Sequence, residues 1–380
     1  MKLKKELNLL DVFCVATGAM ISSGLFILPG LAHAQAGPAV VISYVLAGLL
    51  ATTGMLSQAE LVSAMPKAGG DYFYVTRSMG PALGTIDGIL TWMSIALKSS
   101  FALIGMAAFS SLLVGMDIRL IGIILCAFFV IVNLIGIKGA GRFQVVFVVV
   151  LIILLIFYVI KGIPSVDINN FKPFAQYGAL AVVSTAGFVF VSYGGLLKVA
   201  SIAEEVKQSA KTVPLGMILS LAVTSILYAL VVFVTVGVLG AKELDSSLTP
   251  ISDGAFVFLG KYGRILFGSA AILAFVSTAN AGIMAASRYP LALSRDHLLP
   301  KIFGRVNLKF KTPDISIFIT GIFIAAALFL DLTLLVKIAS AVLIFTFIFS
   351  CLCVIVMRES GVHNYQPRFR SPLYPWIQIA

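Results

Sequence analysis

The residues best placed to do chemistry in this 380-residue sequence form a stretch of backbone, not a set of reactive side chains. The three histidines (His33, His297, His363) lie far apart in sequence. The four cysteines (Cys14, Cys126, Cys351, Cys353) sit in apolar runs without a CxxC pair. No metal-ligand spacing, nucleotide-binding loop, GxSxG elbow or HExxH is present. We therefore assign no cofactor, metal or catalytic residue, and expect neither an enzyme nor an ATP-driven pump. What stands out is "GAMISSGLFILPG" at 18–30, inside an apolar run. Ser22, Ser23, Gly24 and Pro29 weaken a helix where one should be strongest. One explanation is packing, because Gly18 and Ser22 form a small-xxx-small pair. The other is a built-in break. A break frees backbone N–H and C=O groups, which are costly in hydrocarbon unless something satisfies them. N–H groups at the start of a half-helix suit a carboxylate, and freed carbonyls suit an ammonium. The chemistry on offer is reversible capture of a zwitterion.

The elements that would position such a break are membrane helices. The chain is 60% hydrophobic and 11% charged, with a mean hydropathy of +1.06. Soluble domains keep about a quarter of their residues charged. Ten apolar segments, each long enough to cross a bilayer, are expected at about 9–34, 39–64, 82–115, 120–138, 143–163, 178–201, 213–239, 252–286, 314–331 and 333–357. The alternating short strands of a membrane barrel are absent. Met1 to Lys5 followed by an apolar run and "AHAQA" at 32–36 imitates a cleaved signal, but the run from Leu9 is too long for one. If the N-terminus is cytoplasmic, eighteen Lys and Arg fall in or beside cytoplasmic loops against seven on the other side. That matches the positive-inside rule. The net charge of +11 thus reads as topology, with both termini cytoplasmic, and not as nucleic-acid binding.

Segment 6 carries a second interruption, "FVFVSYGGLLKVASIAEE", with Ser192, Gly194 and Gly195 at its centre. Segments 3 and 8 are both unusually long. Positions 1 and 6, and 3 and 8, correspond if a single transport domain is built from two five-helix repeats, about 9–163 and 178–357. Five is odd, so the repeats would be inverted in the membrane. Interrupted segments at matching positions of two halves point to a transporter's binding site. This favours the break over packing alone.

Five stretches, in order along the chain, resemble the amino acid–polyamine–organocation superfamily of permeases. "GAMISSGLFILPG" resembles its first-helix signature, and "AELVSAMPKAGGDYFYV" (59–75) its second helix and re-entrant loop. "EEVKQSAKTVPLG" (204–216) and "ASRYPLALSRDHLLP" (286–300) resemble the loops after its sixth and eighth helices. "PRFRSPLYPW" (367–376) is similar to the segment before its eleventh. The resemblance implies an all-α, LeuT-like inverted repeat with helices 1 and 6 broken. It also implies substrate contacts at matching positions. The N–H groups of Ser22, Ser23 and Gly24 would hold a carboxylate. Carbonyls of Ala19 or Met20, with those of Phe190, Val191 and Gly194, would hold an ammonium. Residue 191 is often a bulky aromatic gate in relatives, and here Phe188, Phe190 or Tyr193 would replace it. Proton-coupled relatives often carry a lysine in helix 5, which by register falls near Val150 and is absent. Ser277 and Thr278 lie where sodium-coupled relatives place hydroxyl ligands.

Two lysines fall in apolar segments. Lys98, in "WMSIALKSSFALIG", must face the bundle interior, water or a partner. Lys198 lies beyond the break in segment 6. Snorkelling or ion pairs with Glu60 or Glu204 would explain them structurally. The functional alternative is a charge that replaces a coupling ion. The expected function is secondary transport of amino acids across the plasma membrane, with proton-coupled symport or exchange. The alternatives are sodium coupling, or an amino acid sensor that keeps the fold without transporting.

Overall fold

The computed structural model describes residues 6–66, 70–135, 140–196, 199–200, 203–307, 309–310, 312–361 and 365–379. Among these, the regular structure is helical apart from one isolated bridge between Leu7 and Val206. Seven helices are long and apolar enough to cross a membrane, and three shorter ones, Leu9–Met20, Gly178–Tyr193 and Asp314–Ala327, are apolar as well. The protein is an all-α polytopic membrane protein, and its ten apolar segments follow the sequence expectation.

The first segment is not one helix. It divides into α1 (Leu9–Met20), α2 (Ser23–Phe26) and α3 (Leu28–Ala36). α1 starts cleanly because Asn8 and Asp11 form a reciprocal capping box. It stops at Ile21, whose backbone is extended, and Ser22 is non-helical too. α3 begins with Leu28 and Pro29, a placement where the missing N–H of proline costs nothing. α4 (Val40–Ala64) then crosses back. The short α5 (Gly70–Met79) lies between spans, and α6 (Pro81–Val114), α7 (Ile118–Ile135) and α8 (Ala140–Gly162) complete the first half.

The second half opens with α9 (Gly178–Val189), which tightens into a 3-10 turn over Phe190–Tyr193 and then loses helical form at 194–196. It continues through α10 (Ser209–Val238), the short α11 (Ala241–Ser246), α12 (Pro250–Arg295), α13 (Asp314–Ala327) and α14 (Leu332–Glu359), with α15 (Trp376–Ile379) near the C-terminus. α12 explains the unusual length of segment 8. It is two helices joined at Gly260, whose φ of 62° suits glycine.

The broken helices sit at the centre, packed against α4, α6, α10, α12 and α14. α7 and α8 are peripheral, since only 33% of each apolar window is buried. Their outward residues, Phe128, Ile131, Ile153 and Ile160 among them, form a lipid-facing surface. The membrane edge on the Arg358 side is tied by Glu60. This fully buried carboxylate receives a bidentate Arg358, the Tyr365 hydroxyl at 2.9 Å and the Ser371 N–H at 2.7 Å. Glu60 is therefore committed to Arg358 and the C-terminal segment, and the expectation that it pairs with Lys98 is corrected. It ends α4 beside Arg358, while Lys98 lies deep in α6.

Candidate functional site

The two breaks touch through their backbones. A Cβ on Gly24 would lie 2.7 Å from the Ser192 Cα, and one on Gly195 would lie 2.6 Å from the Ala19 carbonyl carbon and the Met20 nitrogen. Only glycine permits this approach. The first helix is indeed broken, and the close packing here runs through Gly24 and Gly195, while Gly18 meets Val148 of α8.

Several of the freed carbonyls have donors. Tyr228, from α10, donates to the Met20 carbonyl at 2.7 Å and lies 3.4 Å from that of Ser192. The Gly24 carbonyl accepts from Tyr44 at 2.9 Å and from the Ser192 hydroxyl at 3.1 Å. Tyr193 donates to the Tyr44 carbonyl at 2.9 Å. Ser340 accepts the Val191 N–H at 3.1 Å and donates to the Phe188 carbonyl at 2.7 Å. The Val191 carbonyl accepts the Gly194 N–H at 3.1 Å. Tyr44, Tyr193 and Tyr228 pack edge to face, all fully buried. Sequence reasoning missed this hydroxyl network. Its signal was present as tyrosines in runs otherwise made of Val, Leu and Ala, because a buried tyrosine hydroxyl needs a partner.

The N–H groups differ. Those of Ser22, Ser23 and Gly24 have no hydrogen-bond partner among the described residues, while the Ser22 and Ser23 carbonyls accept from residues 25–27. The hydroxyl of Ser23 also lacks a partner among them. All three residues are buried. Three neighbouring unpartnered donors thus stand at the start of a helical turn, the end of a helix that carries positive partial charge.

Beside the breaks is a small cavity lined by Ser94, Ile95, Lys98 and Ser99 of α6, Gly194 of the second break and Thr278 of α12. It has room for about one water, so a larger ligand requires the helices to move apart. The structure brings three residues singled out in the sequence, Lys98, Gly194 and Thr278, to this cavity. Ser277 is half-buried and is not among its lining residues. Nor are Phe188, Phe190 and Tyr193. Phe190 packs edge to face on Phe347, and Tyr193 belongs to the tyrosine cluster. An aromatic group absent from the sequence expectations, Phe26, Phe109 and Phe275, packs next to the first break. Lys198 lies outside the described residues. On α8, Val148 is buried against Gly18, whereas Val150 is 48% exposed on the lipid face.

The chain matches the amino acid permease family over residues 7–380. It is similar to a methylthioribose transporter of Bacillus subtilis, with 31% identity covering 99% of this chain and 86% of that protein. It is similar to the branched-chain amino acid permease BcaP of the same organism, with 30% identity covering 99% and 85%. Cationic amino acid transporter 1 of Arabidopsis thaliana is 27% identical over 100% and 67%.

Proposed function

The chain belongs to the amino acid permease family, and from that premise we propose that it is a secondary transporter carrying a neutral or acidic amino acid by alternating access. The observation that supports this most is the trio of buried, unpartnered N–H groups at Ser22, Ser23 and Gly24. They would take the substrate carboxylate. The ammonium would lie against carbonyls of the breaks, at Ala19, Met20, Phe190, Val191 or Gly194, whose accepting oxygens have a second lone pair to offer. The names of the relatives span methylthioribose, branched-chain and cationic amino acids, so the family alone does not select the substrate. Lys98 at the cavity argues against a cationic side chain, because like charges in a low-dielectric site repel strongly.

In the same reading, the two halves form an inverted repeat around the breaks, the termini are cytoplasmic in the plasma membrane, and Lys98 takes part in proton coupling. A sodium-coupled variant draws support from Thr278, a buried hydroxyl without a hydrogen-bond partner among the described residues. The test is flux of labelled amino acids into proteoliposomes holding the purified protein. We expect saturable uptake that responds to an imposed pH gradient. Binding without flux would make the protein a sensor, and a strict sodium requirement would move coupling to Ser277 and Thr278.

A further inference from the structure

One face of α6 carries Asp87, Thr91, Ser94 and Lys98, spaced by four, three and four residues, so that they stack in a single stripe. Each is at most 5% exposed. Ser94 and Lys98 line the cavity. Asp87 lies eleven residues from Lys98, about 16 Å along the helix axis. At that end α6 meets α5, where Asp71 is buried and accepts a 2.9 Å hydrogen bond from the Gln58 amide of α4. The two acids are brought side by side there: the Tyr72 ring, next to Asp71, would lie 3.1 Å from a Cβ on Gly88, next to Asp87.

Among the described residues, the groups next to the pair are not cations. Tyr74 shares α5 with Asp71, the Tyr289 hydroxyl of α12 lies 2.9 Å from where a Cβ on Gly70 would stand, and Cys353 of α14 accepts a 3.0 Å hydrogen bond from Ser78 of α5. Arg358, also on α14, is held by Glu60. Both oxygens of Asp87, one oxygen of Asp71, the Gln58 carbonyl and the hydroxyls of Tyr74 and Thr91 lack hydrogen-bond partners among the described residues. Two ionised carboxylates in such a place would carry a desolvation cost of several kcal/mol each. Paired buried carboxyls relieve this by retaining a proton between them. Burial also lifts the Asp71 carboxyl well above the usual carboxylate range, against a weaker opposing effect of its Gln58 hydrogen bond.

We propose that Asp71 and Asp87 form a proton-binding site that exchanges with the Arg358 side of the membrane, and that the α6 stripe links it to the Lys98 cavity. The retained proton sits on one carboxyl oxygen of the pair. It leaves through water and the Thr91 and Ser94 hydroxyls when the helices part. The inference uses the transport reading only for one of its readouts.

The experiment compares wild type with Asp87→Asn and Asp71→Asn. Exchange of labelled amino acid in proteoliposomes is followed as pH is varied on the Arg358 side. Wild type should show a transition above the usual carboxylate range, and both variants should lose it. Ligand-induced thermal stabilisation of the same variants should persist, because neither residue lines the cavity. Loss of stabilisation in wild type would instead count against the transport reading. Infrared spectra of the wild-type protein supply a measurement independent of flux and of variant folding. A water-excluded carboxylic acid band should be present at neutral pH and vanish as pH rises. Unchanged pH profiles in foldable variants, or absence of that band, overturn the proposal. So does a flat wild-type profile with a sodium requirement that Asp87→Asn removes, which would make the pair a metal-cation site.

Discussion

The hydroxyl of Tyr228 donates to the carbonyl of Met20, the last residue of α1, at 2.7 Å. The same oxygen lies 3.4 Å from the Ser192 carbonyl, so one side chain of α10 serves both breaks. With Tyr44 and Ser192 on the Gly24 carbonyl, protein donors hold the Met20 and Gly24 carbonyls on either side of the first break. The N–H groups of Ser22, Ser23 and Gly24 have no such partners among the described residues. In the proposed reading, a substrate carboxylate supplies them.

Tyr228→Phe removes that hydroxyl while keeping the ring packed on Tyr44 and Tyr193. It leaves the Met20 carbonyl without its strongest donor, since the Ser22 hydroxyl is 3.5 Å away. An unsatisfied buried acceptor costs about 1–3 kcal/mol. We expect a lower melting temperature in detergent and slower uptake. Unchanged stability would show that the break does not depend on this bond.

Gly24→Ala should abolish uptake, because its Cβ would meet Ser192 backbone at 2.7 Å and force the breaks apart. Gly187→Ala, one turn before the second break, meets nothing within 4 Å. It should transport normally and be as stable as wild type, or more so by up to about 1 kcal/mol. Comparable uptake in the two variants would mean that break-to-break contact does not matter.

Lys98→Met keeps much of the shape at the cavity and removes the charge. We expect exchange of substrate to continue while concentrative uptake under a pH gradient is lost. Accumulation equal to wild type would make Lys98 structural.

The proposed orientation is checked by cysteine labelling. The native cysteines are all buried, which keeps the background low. Asn169→Cys, between α8 and α9, should react with an impermeant thiol reagent added outside intact cells. Asn307→Cys, between α12 and α13, should react only after permeabilisation. The reverse pattern would invert the topology.

The helical segments were legible because hydrocarbon demands long apolar runs, and those runs are visible in composition alone. The breaks at 22–24 and 192–195 were legible because Ser and Gly cannot pass unnoticed among Val, Leu and Ile. What the sequence hid was mutual placement. Nothing in the spacing of Tyr44, Tyr193 and Tyr228 says that three separate helices bring their hydroxyls to the breaks. Phe26 and Phe275, 249 positions apart, meet edge to face only once α12 folds back past α2. Nor does the sequence show that Val148 faces Gly18 while Val150 faces out, since an unbroken run of Val, Ile and Leu offers no polar mark of its inner face. Asp87 was overlooked because an acid near a helix start reads as ordinary, until its neighbours are found to be buried as well.

The central claim is that backbone N–H groups of Ser22, Ser23 and Gly24 bind a substrate carboxylate. It is tested most directly by competition in proteoliposomes that take up a transported amino acid. The competitors are the same amino acid unlabelled, its decarboxylated amine and its carboxamide. The account predicts that the unlabelled amino acid blocks uptake. The amine and carboxamide should compete at least tenfold more weakly, the equivalent of about 1.4 kcal/mol. Equal competition by the decarboxylated amine would contradict it.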